Sequence, residues 1–456
     1  MAAGLVLIAA TCAAFFGLEP AIAVVAISAG AVVVLASVRG LSVAGRSLST
    51  HEVHPGVTPS GEPAQLGWLV IVALAIRLLV GAVLYFSHGD LSVAPDSVAY
   101  VIVGCHVAKS WESPGIDLLM VPGYKDTFYV QLNALVCSYL GDLSGLFLGW
   151  LNAALGVAAA WVLSRMTHDL YGPRAARYAF ILNAFFPSIV LWTSLNLREG
   201  WSFLALSLAV YGAQRLRGGL SLSALLMLAL GLTLLPMIRG YLLALVVIGL
   251  TASHAVVRVK QLPAALIGMA ALLVAVRLAT DKLGVLSLDS SLADRLRVAA
   301  DLREALAYGG SAVSVSSDTG TPLGAVLYLP KGLATFLLAP FPWSVDSWRQ
   351  AVAVPESVAW YYLLALGVKE MWQGLLKMPS RVAAPILVAA AITFAYALVE
   401  GNAGTAYRHR AHVLLLSFVF SAAALGRRSV LKLGGGVSEH PDGGSRGKPA
   451  TTILKW

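Results

Sequence analysis

Charged residues are scarce in this chain of 456 residues: Asp, Glu, Lys and Arg together make up 12% of it, against 58% hydrophobic residues. A soluble domain averages about 25% charged residues, so this shortage excludes an ordinary water-soluble protein. Apolar runs of about 17–25 residues, the length needed to cross a bilayer, recur along almost the whole sequence. The sequence therefore predicts an all-α fold, a polytopic bundle of transmembrane helices with juxtamembrane helices on the outer face.

Cysteine is also rare, with Cys12, Cys105 and Cys137 as its only occurrences. Three residues at these spacings make neither a disulfide framework nor a metal site, and we expect no metal and no cofactor. A disulfide between Cys105 and Cys137 stays open. The N-terminal stretch "MAAGLVLIAATCAAFFG" lacks the basic segment of a cleaved signal peptide, so we expect it to be a retained first helix.

Basic residues outnumber acidic ones, 32 to 23, but they sit in short clusters between apolar runs. Short basic clusters of this kind are typical of the loops that set how a protein is oriented in the membrane, and less so of a nucleic-acid-binding surface. We therefore expect no nucleic-acid partner.

About twelve spans are expected, near 3–17, 21–38, 66–86, 144–164, 175–195, 200–214, 219–236, 241–254, 261–279, 356–374, 382–400 and 411–426. If the N-terminus is cytoplasmic, every inner loop carries at least two basic residues, as cytoplasmic loops should. We therefore expect a multi-pass protein of the cell membrane whose active site faces outward. The outer segments are then 87–143, 196–200, 280–355 and 400–410.

Five basic residues fall near outer helix ends, where positive charge is disfavoured: Lys125, Arg198, Arg239, Arg408 and Arg410. Any one of them could simply extend to lipid headgroups. As a group they suit the phosphate or diphosphate of a membrane-embedded lipid, because arginine binds phosphate through two hydrogen bonds and keeps its charge. Arg408 and Arg410 could instead pair with Glu356 or Glu400. An anion is expected beside them in either case, because they crowd the positive end of a helix dipole.

Two acids, Asp90 and Asp96, directly follow the apolar run 66–86, and Tyr100 lies one helical turn after Asp96. One interpretation is that Asp96 only caps the helix after Pro95. Another is that it takes the proton of an acceptor hydroxyl while arginine stabilises a departing phosphate.

Four features in this order resemble a known family: "PDSVAY" after a span, an inner "R-x-x-x-x-LYG-x-x-A-A" loop, the helix end "PSIVLWTS", and a later "RGY". Over roughly residues 66–260 the chain resembles polyprenyl-phosphate-sugar-dependent glycosyltransferases of the GT-C superfamily, which include protein O-mannosyltransferases and the lipid A aminoarabinose transferase. The resemblance implies Asp96 as catalytic base, Glu199 as a second catalytic acid, and Arg198 and Arg239 as contacts to the lipid phosphate. In the mannosyltransferases the corresponding aspartate is followed by a glutamate, whereas here Asp96 is followed by Ser97.

The resemblance implies that a sugar moves from a polyprenyl-phosphate donor to a glycan, lipid or protein acceptor on the outer face, among membrane lipids. Besides Asp96 and Glu199 as catalytic residues, the expected substrate-binding set is Asp90, Tyr100, Lys125, Arg198, Arg239, Arg408 and Arg410. The domains expected are an N-terminal transmembrane hairpin (1–40), a cytoplasmic linker (41–65), a GT-C-like catalytic module (66–280), an extracytoplasmic loop region with surface helices (281–355), C-terminal transmembrane helices (356–428) and a disordered cytoplasmic tail (429–456).

Two other functions stay open. An O-antigen-type polysaccharide polymerase or ligase uses a polyprenyl-diphosphate donor and relies on outer arginines and a histidine, which the stretch "RHRAH" offers. A transporter of lipid-linked oligosaccharide would carry charge at mid-membrane depth, where Arg77 and Arg277 are the main candidates.

Overall fold

The computed structural model of the chain describes residues 62–111, 127–257, 321–345 and 348–434, with single positions between 297 and 304. The described residues are mainly helical and form no extended strand. The helices are α1 (Glu62–Phe86), α2 (Gly89–Val93), α3 (Pro95–Ser110), α4 (Thr127–Leu140), α5 (Ser144–Tyr171), α6 (Pro173–Phe185), α7 (Pro187–Ser194), α8 (Glu199–Leu216), α9 (Leu222–Val257), α10 (Pro322–Leu338), α11 (Trp348–Lys377), α12 (Pro379–Val399), α13 (Ala403–His409) and α14 (Ala411–Gly434).

Within the described part of the chain, four helical stretches are long and apolar enough to cross a membrane: Gly67–Phe86, Phe128–Tyr171, Leu222–Val257 and Pro379–Val399. Two bent pairs, α6 with α7 (53°) and α13 with α14 (49°), raise the number to six if each pair is one span. The all-helical fold is thus confirmed for the described residues, and their apolar helices are long enough for a membrane protein, but the expected count of about twelve spans is not confirmed. Three expected spans, 3–17, 21–38 and 261–279, lie outside the described residues.

Helix α9 is broken at Arg239, whose backbone angles (φ −149°, ψ 87°) are not helical. Before the break, Leu228 lies against Gly212 near the end of α8, so closely that a Cβ on the glycine would come within 2.6 Å of the Leu228 nitrogen. After the break, Ser253 hydrogen bonds with Arg217, just past the same end of α8. A straight helix would hold Leu228 and Ser253 roughly 37 Å apart. The chain therefore reverses at Arg239, which stands at a turn between the expected runs 219–236 and 241–254.

A second break separates α6 from α7 at Pro187, and a fully buried arginine of α1 stabilises it. Arg77 donates hydrogen bonds to the hydroxyl of Thr193 (2.9 Å) and to the carbonyl of Ala184 (2.6 Å). A proline interrupts the hydrogen bonding of a helix, so carbonyls near it need other donors. Arg77, named above as a candidate charge at mid-membrane depth, thus forms hydrogen bonds with both helices at this break.

Helices α3 and α4 are joined by a disulfide between Cys105 and Cys137, whose Cα atoms are 5.3 Å apart. The helices touch at Gly104, where a Cβ would come within 2.5 Å of the Asn133 Cβ. The pairing that the sequence left open is therefore present, and it fixes the helix that begins beside Asp96 against its neighbour.

Candidate functional site

The junction between α7 and α8 positions Glu199. Asn152 of α5 donates hydrogen bonds to the carbonyls of Trp192 (3.1 Å) and Leu195 (2.9 Å), and its side-chain oxygen accepts one from the amide of Gly200 (2.6 Å). The last contact occupies one of the free amides at the start of α8. The side chain of Asn152 thus hydrogen bonds with both ends of the junction. Glu199 is the first residue of α8, and it is fully buried.

Two guanidinium groups converge on the Glu199 carboxylate. Arg239 donates to Oε1 through Nη2 (2.5 Å), while Arg408 donates to Oε1 through Nε (2.6 Å) and to Oε2 through Nη2 (3.2 Å). Arg239 is 4% exposed and reaches Glu199 from the turn within α9. A buried charge is stable only when it is paired and hydrogen bonded, and the two arginines meet that condition for the carboxylate.

Arg408 also binds Asp96, through a 2.8 Å contact from Nη1 to Oδ2. The Asp96 side chain is 59% exposed and that of Arg408 only 12%, so Arg408 connects a buried carboxylate to an accessible one. The N-cap of α3 is Ala94, without a side-chain cap, and Asp96 lies in the first turn. The interpretation of Asp96 as a cap is therefore wrong, and its carboxylate belongs to the cluster of Asp96, Glu199, Arg239 and Arg408, hereafter the four-residue cluster.

Arg198 and Tyr100 adjoin this cluster. The guanidinium of Arg198 donates to the carbonyl of Ile238 (3.3 Å), next to Arg239, and lies 5.5 Å from the centre of the Tyr100 ring. Tyr100 is 5% exposed and meets Tyr129 edge-on, with ring centres 4.9 Å apart. The structure thus places Tyr100 as a buried support for Arg198, a cation–π contact.

On the other side of Arg239, a polar chain leads to Glu400. Arg239 donates to the hydroxyl of Tyr241 (3.0 Å), which lies 2.9 Å from the hydroxyl of Tyr396. The Tyr396 ring stacks on His409 at 4.8 Å, and His409 hydrogen bonds with Glu400. Burial opposes ionisation of Glu400, but its interactions with His409 and Thr405 and the charge of Arg239 together outweigh burial and hold the pKa of this carboxyl below its ordinary value.

His412 lies against the same part of the bundle. Its Nε2 is 2.9 Å from the Ser202 hydroxyl, and its Nδ1 is 3.0 Å from the carbonyl of His409. The ring is fully buried and meets Phe203 edge-on. His412 therefore packs against the first turns of α8, just behind Glu199.

Two predicted site residues have other surroundings. Arg410 is fully buried and donates to the carbonyls of Leu337 (3.0 Å) and Ala339 (2.8 Å), at the end of α10. Asp90 lies in the first turn of α2, and its carbonyl accepts a hydrogen bond from the amide of Ala94 (2.7 Å), the residue before α3. Lys125 lies outside the described residues. A ligand contact for each of these three stays a prediction.

The anion expected beside the "RHRAH" stretch is supplied by the chain itself. Arg408 pairs with Glu199 and Asp96, and His409 pairs with Glu400. The expected pairing of Arg408 or Arg410 with Glu356 or Glu400 is not among the contacts of the described residues, where Glu356 accepts from the Tyr407 hydroxyl and Glu400 binds His409. In the described part of the chain, no group of three or more His, Cys, Asp or Glu side chains could hold a metal ion.

Several residues of the site were not expected from the sequence. Trp192, whose ring centre is 5.8 Å from the Arg408 guanidinium, looked like part of an apolar helix end. Asn152 and Tyr396 sit inside apolar runs that predicted only spans. A signal was present for Asn152, because an amide inside a membrane helix needs a partner and is a candidate for holding another backbone segment.

No protein-family model matches the chain, and comparisons with curated proteins and with solved structures gave no significant match.

Proposed function

We propose that the chain is a membrane glycosyltransferase that moves a sugar from a polyprenyl-phosphate donor to an acceptor on the outer face of the membrane. The observation that carries the proposal is the four-residue cluster. In it Arg408 binds both Asp96, which is 312 positions away in the sequence, and Glu199, which is 209 positions away. The GT-C resemblance assigned chemistry to Asp96, Glu199 and Arg239. The position of Arg408 suggested phosphate binding independently of the resemblance.

The two carboxylates have environments that suit different tasks. Asp96 is accessible and can accept a hydrogen bond from an acceptor hydroxyl, whereas Glu199 is buried behind two arginines and holds them in place. In the proposed step the acceptor oxygen attacks the anomeric carbon, and its proton passes to the Asp96 carboxylate. The bond from that carbon to the phosphate oxygen breaks, and the phosphate leaves with the electron pair.

Arg408 is the proposed partner of the leaving phosphate. Its Nη1 binds Asp96 at the exposed edge of the cluster, whereas Nε and Nη2 are committed to Glu199. A donor phosphate can take over the Nη1 contact without breaking the buried pair. Asp96 would then be released to the acceptor, and the guanidinium would stabilise the charge that develops on the phosphate.

Two features support an outward-facing site. Disulfides form and persist in oxidising compartments outside the cytoplasm, and Cys105–Cys137 joins the helix that carries Asp96 to α4. The clusters of basic residues assigned to inner loops by the positive-inside rule give the same orientation.

The proposal is tested in a deletion strain by mass spectrometry of lipid-linked sugars and surface glycans. We expect the strain to accumulate an unused lipid-linked sugar and lose one surface modification, and the wild-type chain to restore both. Asp96→Asn should fail to restore them despite normal membrane levels. Asp142→Asn, an exposed acid near the same end of α1, is the matched control and should restore both fully. Full restoration by Asp96→Asn would overturn the proposed base.

A polymerase or ligase of the O-antigen type is the second candidate, because His409 and His412 lie beside the cluster. That activity would depend on arginine and histidine and not on Asp96. His409→Gln would then abolish it while Asp96→Asn remained active, the reverse of the result that the glycosyltransferase proposal expects.

A further inference from the structure

A buried network of polar side chains joins α4 to the junction between α7 and α8. The side-chain nitrogen of Asn196 donates a hydrogen bond to the side-chain oxygen of Asn133 (2.7 Å), and the side-chain oxygen of Asn196 accepts one from the Tyr129 hydroxyl (2.7 Å). Asn133 in turn donates to the main-chain carbonyl of Tyr129 (2.8 Å). All three residues are at most 2% exposed, so these donors and acceptors are paired in a region closed to water.

Asn196 also reaches the start of α3. Its side-chain nitrogen lies 3.4 Å from the main-chain carbonyl of Ser97, which makes a long hydrogen bond. Ser97 directly follows Asp96 in the first turn of α3. Ser97 is 3% exposed, whereas the side chain of Asp96 is 59% exposed. The same helical turn therefore presents Asp96 to solvent on one side and contacts Asn196 on the other.

The junction that carries Glu199 is held from two sides. Asn152 of α5 binds the carbonyl of Leu195 and the amide of Gly200, as described above. From α4, the Tyr129 hydroxyl contacts Asn196 and also donates to the main-chain carbonyl of Leu197 (2.8 Å). The start of α3 and the start of α8 are thus held by one shared set of contacts, with Asn196 at its centre.

These contacts bear on the distance between the two carboxylates of the four-residue cluster. Arg408 is bound to Glu199 at the start of α8, so its 2.8 Å contact with Asp96 depends on where α3 lies relative to α8. A displacement of about 1 Å can slow a reaction about 10²-fold, even when the altered residue is far from the chemistry. A residue that fixes α3 relative to α8 would therefore affect transfer without touching the substrate.

We propose that Asn196 is a positioning residue for the sugar transfer, an inference that rests on the proposed function. Asn196 holds the first turn of α3 against the junction, so that Asp96 lies beside Arg408 with its carboxylate open to the acceptor hydroxyl. Its own side chain is buried and takes no part in the proton transfer. It acts through Asp96, which distinguishes this role from that of a polar side chain that only holds membrane helices together.

The first test measures transfer of lipid-linked sugar in proteoliposomes by wild type, Asn196→Ala, Asp96→Asn and the variant with both substitutions. We expect Asn196→Ala to lower kcat about tenfold or more while the KM for the donor stays within about twofold. In the Asp96→Asn background the same substitution should cause no further loss, because the group that it positions is gone. Asn183→Ala removes a fully buried amide that binds within α6, and this matched control should keep the wild-type kcat.

The second test does not depend on activity. Hydrogen–deuterium exchange of the purified full chain in detergent follows the main-chain amides in the first turns of α3. Asn196→Ala should speed their exchange about fivefold, as expected for the loss of one buried hydrogen bond, and leave the amides of α10 unchanged. Tyr129→Phe removes a hydroxyl from the same network and should act in the same direction if Asn196→Ala does not fold. Its control is Tyr211→Phe, which removes a buried hydroxyl that binds Asp169 near the other end of α8.

The outcomes distinguish this inference from the proposed function. Full transfer by Asp96→Asn, or no transfer by wild type, would contradict the proposed function, and exchange in α3 would still decide whether Asn196 positions that helix. With Asp96→Asn inactive, equal losses from Asn196→Ala in both backgrounds would overturn the positioning role. Unchanged exchange in α3, or faster exchange across the whole chain, would overturn it as well.

Discussion

Two kinds of largely buried arginine can be compared among the described residues, and they differ in what their guanidinium groups bind. Arg77 and Arg410 are fully buried and donate to main-chain carbonyls near helix breaks and helix ends. Arg239 and Arg408 donate to carboxylates. An arginine bound to carbonyls holds the backbone in place. An arginine bound to carboxylates forms a charged group whose exposed contact can be exchanged for a ligand.

The largest effect on stability is expected for Glu199→Gln. The substitution keeps the shape of the side chain but leaves Arg239 and Arg408 without their buried counter-charge, and breaking a buried pair in this way costs about 3–5 kcal/mol. Equilibrium unfolding in mixed micelles measures it. Asp142→Asn, which removes an exposed acid, is the control and should change stability by less than about 0.5 kcal/mol. A Glu199→Gln protein as stable as wild type would show that the carboxylate does not hold the cluster together.

A smaller loss is expected for Arg77→Met, which removes a donor from the carbonyl of Ala184 and from the hydroxyl of Thr193. Leaving one buried acceptor without a partner costs about 1–3 kcal/mol. The same unfolding measurement applies, with the exposed Arg177→Met as control. If Arg77→Met lowered the free energy of unfolding more than Glu199→Gln does, that result would contradict the distinction between the two kinds of arginine.

The smallest effect should depend on pH. The folded pKa of the Glu400 carboxyl is lowered because His409, Thr405 and Arg239 together outweigh the effect of burial. Its contribution to stability is therefore present above the unfolded pKa, about 4.3, and is lost as pH falls through the folded value. Thermal unfolding of wild type against Glu400→Gln should differ at neutral pH, and the difference should shrink below about pH 4. A difference that grew on acidification would contradict the pairing with His409.

The all-helical fold could be predicted from the sequence, because its low charge and long apolar runs are visible in it. Asp96, Glu199, Arg239 and Arg408 could also be named as candidates, and the structure brings these four side chains together. Which carboxylate each arginine binds could not be predicted. Arg408 and Arg410 are two residues apart, yet one reaches Glu199 and the other the carbonyls that end α10. Their directions depend on how α13 and α14 bend, and the pairing depends on contacts across more than 200 positions. The number of spans was also not settled, since three expected runs lie outside the described residues and the count among the others depends on whether each of two bent helix pairs is one span.

The central claim is that Asp96 acts on the acceptor while the arginines hold the donor. Proteoliposomes containing the wild-type chain or Asp96→Asn are supplied with radiolabelled lipid-linked sugar extracted from the deletion strain. Retention of the donor and its transfer to acceptor are measured in the same sample. We expect Asp96→Asn to retain the donor as wild type does but to transfer it about 10²–10⁴-fold more slowly, the usual contribution of a general base. Transfer at the wild-type rate, or loss of donor retention in parallel with transfer, would contradict this division of roles.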